Sequence, residues 1–165
     1  MNELTRMIDA RQLPAGAFDV KAAPAECAAL AARFGLVKVK HFSAVITLTK
    51  DGPSVRAVGR LMADIIQSCA ISAEDLHVRI HEPVALHFLP AGSVPATDAE
   101  IELDAEMLDQ IEMDGQQFDL GEALAQGLAL GIDPYAEGPG AADARRTLAE
   151  QEPSGPFAML KKLLE

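Results

Sequence analysis

The chain has 165 residues, 49% of them hydrophobic, which is enough to close one domain around a real core. Aromatic content is only 4% and Trp is absent, so Ala, Leu, Val and Ile must supply that core. No apolar run reaches the ~20 residues that cross a bilayer, and "MNELTRMIDARQLPAGAF" lacks a signal-peptide apolar segment. Two cysteines fit a reducing compartment. The expectation is a single cytoplasmic domain over 1–165 with no membrane partner.

The net charge is −11, and it is unevenly spread. Met1–Arg79 holds ten Lys/Arg and eight Asp/Glu; the stretch between Arg79 and Arg145 holds fourteen acids and no Lys or Arg. A block of one sign reads as a solvated or an interacting surface. It repels nucleic-acid phosphates and attracts basic proteins. Asp98, Glu100, Glu102 and Asp104 are its densest part and the candidate contacts for a basic partner.

Along the chain, Leu13–Val20 reads as a turn into a short strand, with Pro14 and Gly16 as breakers. "APAECAALAARFG" predicts an Ala-rich helix that begins at Pro24 and stops at Gly35. Cys27, Leu30 and Phe34 share one side of it, so Cys27 is expected to be buried. The period then drops to two. "LVKVKHF" and "AVITLT" alternate, Asp51-Gly52 signals a hairpin, and "VRAVGRLMADIIQSCAI" continues as a long strand or a strand with a bulge near Gly59. "DLHVRIHEPVALHFL" alternates again, and Pro83 marks an edge strand or a break. Short strands are expected at Ala99–Leu103 and near Asp109–Met113. "FDLGEALAQGLALGIDPY" predicts a helix capped by Asp119, with Leu120, Leu124 and Leu128 in one stripe. Residues 136–155 read as a mobile linker with a helical turn at Arg145–Leu148. "PFAMLKKLLE" reads as a short closing amphipathic helix. The fold class is α+β: a mainly antiparallel sheet, with room to curl toward a partial barrel, and helices packed on it.

Catalytic chemistry finds little footing in these residues. His77 and His81 lie on an alternating pattern that separates them by ~13 Å, too far for one zinc ion. Nothing places a base beside Cys69, and its Val, Ile and Ala neighbours imply burial and an inert thiol. A thiol- or metal-dependent enzyme is therefore the weakest reading, and no catalytic, cofactor or metal residue is assigned. Glycine-rich phosphate loops are absent, and so is the aromatic platform of an RNA-recognition sheet. Lys38, Lys40, Arg56 and Arg60 form the one basic cluster, on strands expected to be neighbours. They read first as a solvated strand face and, as the alternative to a basic protein held by the acidic stretch, as candidates for direct contact with an RNA backbone.

Several segments in order resemble the YceD family, the large ribosomal RNA subunit accumulation proteins. Gln67 and Cys69 of "QSCAIS" sit near the end of a long central strand, and "IHEPVALHFLP" follows. Asp119, Leu120, Gly121 and Glu122 then open a helix that runs to Asp133-Pro134-Tyr135. Pro156 and Phe157, with Ala158, Leu160 and Leu163, match the closing motif, and "LAARFGL" is also similar. The resemblance implies a non-enzymatic factor that supports large-subunit ribosomal RNA accumulation or processing. Its implied partner is a large-subunit ribosomal protein or a pre-ribosomal RNA–protein complex, and no cofactor is implied. Many members carry a Cys-x-x-Cys and a second cysteine pair resembling a zinc site. Here Ile66 and Ser72 flank Cys69 at those spacings and no later cysteine exists, so that site does not carry over. Cys69 is then expected to pack in the core and Gln67 to satisfy backbone groups near a sheet edge.

Overall fold

A computed structural model describes residues 3–93 and 109–150. The expected strand at Ala99–Leu103, the closing helix with Pro156 and Phe157, and the acids Asp98, Glu100, Glu102 and Asp104 lie outside the described residues. The elements are β1 (Met7–Asp9), β2 (Ala17–Lys21), α1 (Pro24–Arg33), β3 (Lys38–Asp51), β4 (Ser54–Ser68), β5 (Asp75–Leu89), β6 (Asp109–Glu112), β7 (Gln117–Asp119), α2 (Leu120–Gly131) and α3 (Ala141–Glu150). The chain divides into two compact units: Met1–Gln67 with His77–Asp133, and Ser68–Leu76 with Pro134–Glu165.

The first unit is built on a five-stranded sheet in the order β2-β3-β4-β5-β6. It is α+β and mainly antiparallel, and it remains open, with β2 and β6 at its edges. The exception in direction is β6, which runs parallel to β5 from Leu86↔Asp109 to Leu89↔Glu112. Pro83 lies in the part of β5 that β6 does not reach, consistent with its lack of a backbone donor. A second, two-stranded ribbon pairs β1 with β7.

Strand alternation decides what the sheet buries. Phe42, Ala44, Ile46 and Leu48 of β3 point inward with Val55, Ala57, Leu61, Ala63 and Ile65 of β4. Leu30 of α1, Leu120, Leu124 and Leu128 of α2, and Phe88 stacked on Phe118 at 4.0 Å complete this core. The expected leucine stripe of α2 and the buried Cys27 of α1 are both present.

Of the two readings of this segment, the long strand without a bulge at Gly59 is the one observed. Ile46↔Gly59 pair in continuous register, and the irregularity lies between Val39 and His41, with Lys40 as the extra residue. Glycine marks position 59 for another reason. A Cβ there would meet the Val45 carbonyl oxygen at 1.9 Å and Ile46 Cδ1 at 2.9 Å. The two long strands can approach this closely only where one lacks a side chain.

In the second unit α3 spans ten residues, Ala141–Glu150, where the sequence suggested a single turn. Ala, Arg, Leu and Glu favour helix there, and Arg146 pairs with Asp143 one turn away.

Gly59→Ala is expected to destabilise the protein by about 3 kcal/mol through overpacking against backbone. Urea unfolding of the variant beside the exposed control Thr49→Ala measures it; equal midpoints would overturn the account.

Candidate nucleic-acid interface

The face of the sheet that the core does not use gathers charge. Cross-strand pairs share a face, and the register places His41 opposite Asp64, Ser43 opposite Met62, Val45 opposite Arg60 and Thr49 opposite Arg56. Lys38 pairs with Ile66 on the same side. The bulged Lys40 reaches it too, with Nζ 3.0 Å from His77 Nδ1. Lys21 joins from β2, opposite Ser43. All four bases singled out from the sequence thus lie on one exposed face, where Lys21 and Arg79 raise the cations to six.

Asp75 lies on the same side of β5 as His77 and Arg79, and Asp19, Asp51 and Asp64 oppose the bases directly. Each of the last three lies within ion-pair distance of one cation: Asp19 with Lys21 at 4.0 Å, Asp51 with Arg56 at 3.3 Å, and Asp64 with Arg79 at 3.5 Å. Such exposed pairs contribute little to stability. Among the described residues Lys38, Lys40 and Arg60 have no carboxylate partner, so the face keeps net positive charge on a chain of −11. Val45 and Val58 are exposed between the bases. His41, His77 and His81 are exposed here, whereas His87 is half-buried with its Nε2 enclosed and unpartnered.

The Asp-Leu-Gly-Glu positions hold the N-terminal segment rather than a ligand. Asp119 Oδ1 accepts N–H groups from Gly121 at 2.9 Å and Glu122 at 3.2 Å, which caps α2, and another from Arg6 at 2.8 Å. Leu120 is fully buried, and its N–H donates to the Arg6 carbonyl at 3.0 Å. A Cβ on Gly121 would lie 2.5 Å from the Leu4 carbonyl oxygen, so only glycine admits this crossing. Glu122 takes two hydrogen bonds from Arg33, at 2.7 and 2.8 Å, instead of reaching back to its cap. These bonds hold its carboxyl below the ordinary carboxylate range. Sequence reading missed Arg6, which also makes a two-pronged pair with Glu26. A basic residue two positions after a buried leucine gave no signal of that role.

Gln67, near the end of β4, and Cys69, just beyond it, take separate roles. Gln67 is buried, and its Nε2 donates to the Asp133 carbonyl at 2.8 Å. It therefore satisfies a backbone group as expected, but on a central strand rather than at a sheet edge. Cys69 belongs to the second unit. It is buried yet lies outside the hydrophobic cluster, and its surroundings correct the expectation of an inert thiol. Its Sγ accepts backbone N–H groups from Ser72 and Gly138, both at 3.3 Å.

The turn that aims the first donor is closed by Cys69 N–H to the Glu74 carbonyl at 2.7 Å and by Ala73 at φ 59°. The Glu74 carboxylate in turn accepts from Gly140 N–H at 2.8 Å. The thiol is pulled down to about 7, first by the Ser72 side chain and then by the Gly138 and Ser72 N–H groups. The Ser72 hydroxyl itself meets no partner at hydrogen-bond geometry, so the two backbone donors are the formed bonds. Cys27 moves the other way, raised chiefly by burial. Among the described residues no group of three or more His, Cys, Asp or Glu could hold a metal ion.

Compared with protein-family models, curated proteins and solved structures, the chain has no match.

Two outcomes test this geometry. Asp119→Ala is expected to cost about 1–2 kcal/mol through loss of the cap, more than Glu122→Ala; denaturant midpoints that fall in the reverse order would refute the cap as the dominant role. For Cys69 the folded pKa lies below the ordinary 9.0, so the thiolate adds stability above pH 9 that is lost as pH falls through about 7. The ultraviolet absorbance of thiolate should therefore show a step near pH 7 that Cys69→Ala removes. A step that survives this substitution contradicts the cradle.

Proposed function

We propose that this chain is a non-enzymatic factor supporting accumulation or processing of large-subunit ribosomal RNA, and that its basic sheet face contacts the RNA. The carrying observation is the gathering of Lys38, Lys40, Arg56 and Arg60, with Lys21 and Arg79, on one exposed face of β2–β5. Cations spread over four neighbouring strands suit an extended polyanion better than a small anion. The ordered resemblance of "QSCAIS", Asp119–Glu122 and Pro156-Phe157 to the YceD family supplies the ribosomal assignment.

The acid-rich stretch favours a second contact, with a basic ribosomal protein. Its described part includes a depression of about 250 Å³ lined by Glu112, Asp114, Asp119 and Glu122 with Met7 and Phe118. Asp119 and Glu122 are committed to their backbone and Arg33 partners, so Asp114 and the acids Asp98, Glu100, Glu102 and Asp104 are among the groups that would attract a cationic chain. The RNA face and this acidic contact are compatible within one pre-ribosomal RNA–protein complex.

Affinity-tagged protein, cross-linked in cells and sequenced for bound RNA, is expected to enrich large-subunit ribosomal RNA. Charge reversal at Lys38, Lys40 and Arg60 should remove that RNA. Reversal at Glu100, Glu102 and Asp104 should instead reduce co-purified ribosomal protein. If RNA persists in the first variant and vanishes only in the second, contact is protein-mediated and the role of the basic face is wrong. If neither large-subunit RNA nor ribosomal protein is enriched, the ribosomal assignment fails.

A further inference from the structure

We infer that the basic face recognises the sugar–phosphate backbone of duplex RNA, independently of base sequence, and that a phosphate sits in the depression between His41, Ser43, Arg79 and His81. The inference rests on the RNA reading above and narrows it to one kind of RNA.

Two observations carry it. The first is what the face lacks. Its outward positions on β2–β5 are Ala, Ser, Thr, Val, Ile, Met, Pro, Leu, His, Asp, Lys and Arg, while Phe18, Phe42 and Phe88 all point to the core side. Proteins that read single-stranded RNA splay its bases onto aromatic rings, each stack contributing substantially to affinity. Without Phe, Tyr or Trp on this face, exposed bases gain little here. Paired bases need no stacking partner and present only backbone and 2′-hydroxyls. The strands match such a rod: β3 and β4, of 14 and 15 residues, extend ~45–50 Å at the rise of a strand.

The second observation is the depression itself, about 240 Å³, lined by His41, Ser43, Met62, Asp64, Arg79 and His81. Ser43 is 6% exposed, and its hydroxyl is fixed 3.0 Å from His41 Nε2. Arg79 and His81 contribute further donors from β5. One group on its wall opposes an anion. Asp64 lies 3.5 Å from Arg79 Nε and neutralises it. A phosphate therefore competes with Asp64 for Arg79, and this fixes the sign of a substitution. Removing the Asp64 charge strengthens binding of an anion and weakens binding of a basic partner.

The test uses the full-length chain and fluorescence anisotropy with a 20-base-pair RNA duplex of arbitrary sequence, its scrambled counterpart and one separated strand, over a potassium chloride series. The two duplexes are expected to bind alike and more tightly than the strand, with log K falling linearly against log salt. Arg79→Ala should reduce the magnitude of that slope by about 1, the signature of one lost phosphate contact. Asp64→Asn should tighten binding severalfold, and Arg11→Ala, which lies off the face, should change neither quantity.

A strand preferred over the duplex overturns the inference and leaves RNA contact standing. So does an Asp64→Asn variant that binds duplex more weakly, or a slope that falls with Lys38→Ala but not with Arg79→Ala. Absence of binding to any of the three RNAs at low salt overturns the RNA reading and this inference together.

Discussion

Everything this protein presents to solvent on its large sheet follows from the register of β3 against β4. The side-chain period of a strand is two, so a slip of one residue would exchange the buried and exposed sets along 14 or 15 residues. Phe42, Ile46, Leu61 and Ile65 would then face water, and Arg60 and His41 would face the core. Two features pin the register. Asp51 pairs with Ser54 across a Gly52-Pro53 turn, with Gly52 at φ 60°, and the close approach at Gly59 is tolerated at that position alone along the pair. Burial of one face and display of bases on the other are thus one event. The bulge at Lys40 adds a residue without disturbing the inward series beyond it, and it delivers that lysine to the same side as His77.

A second constraint acts at the start of α2. Asp119, Leu120 and Gly121 bind the backbone of Leu4–Arg6, while Arg6 and Arg33 tie that region to Glu26 and Glu122. The Asp-Leu-Gly-Glu positions that carry part of the family resemblance therefore act in folding. The negative ends of these pairs, Glu26 and Glu122, also occupy the first turns of α1 and α2, where carboxylates are favoured by unpaired N–H groups. Part of the chain's excess acid is accounted for in this way, by helix starts and arginine partners instead of an external ligand.

Strand alternation made β3, β4 and β5 legible, because each carries enough residues for its period to rise above composition. The helices were legible from Pro24 and Asp119 for the same reason of strong end signals. The β1–β7 ribbon was not, since three residues hold no period and its pairing joins positions more than a hundred apart. Gly59 pointed to a bulge because glycine marks bulges and close approaches alike; only the Val45 carbonyl distinguishes them. Of the candidate site, the four bases were legible individually, and their common face emerged only with the register. Cys69 shows the opposite case. Its burial was readable from alternation, but its acidity comes from a turn at Ser72 and an N–H of Gly138, 69 residues on. Backbone donors carry no residue type, so no pattern of side chains announces them.

The overall charge of −11 argued from the sequence against contact with phosphates, and the sheet changes the weight of that argument. At physiological salt exposed charges are screened beyond ~8 Å, while adjacent strands lie ~4.8 Å apart. Neighbouring strands on one face therefore act on an approaching anion together, whereas charges several strand widths away are largely hidden from it. What matters is the local balance of six cations against four acids, of which Asp19, Asp51 and Asp64 each have a cationic neighbour. At low salt the two scales recombine and the full negative charge slows encounter with RNA. A chain organised this way carries opposite charge in different places: a basic sheet face, and an acid-rich segment in the sequence. Net charge then governs its long-range field, and local register governs the charge each face presents.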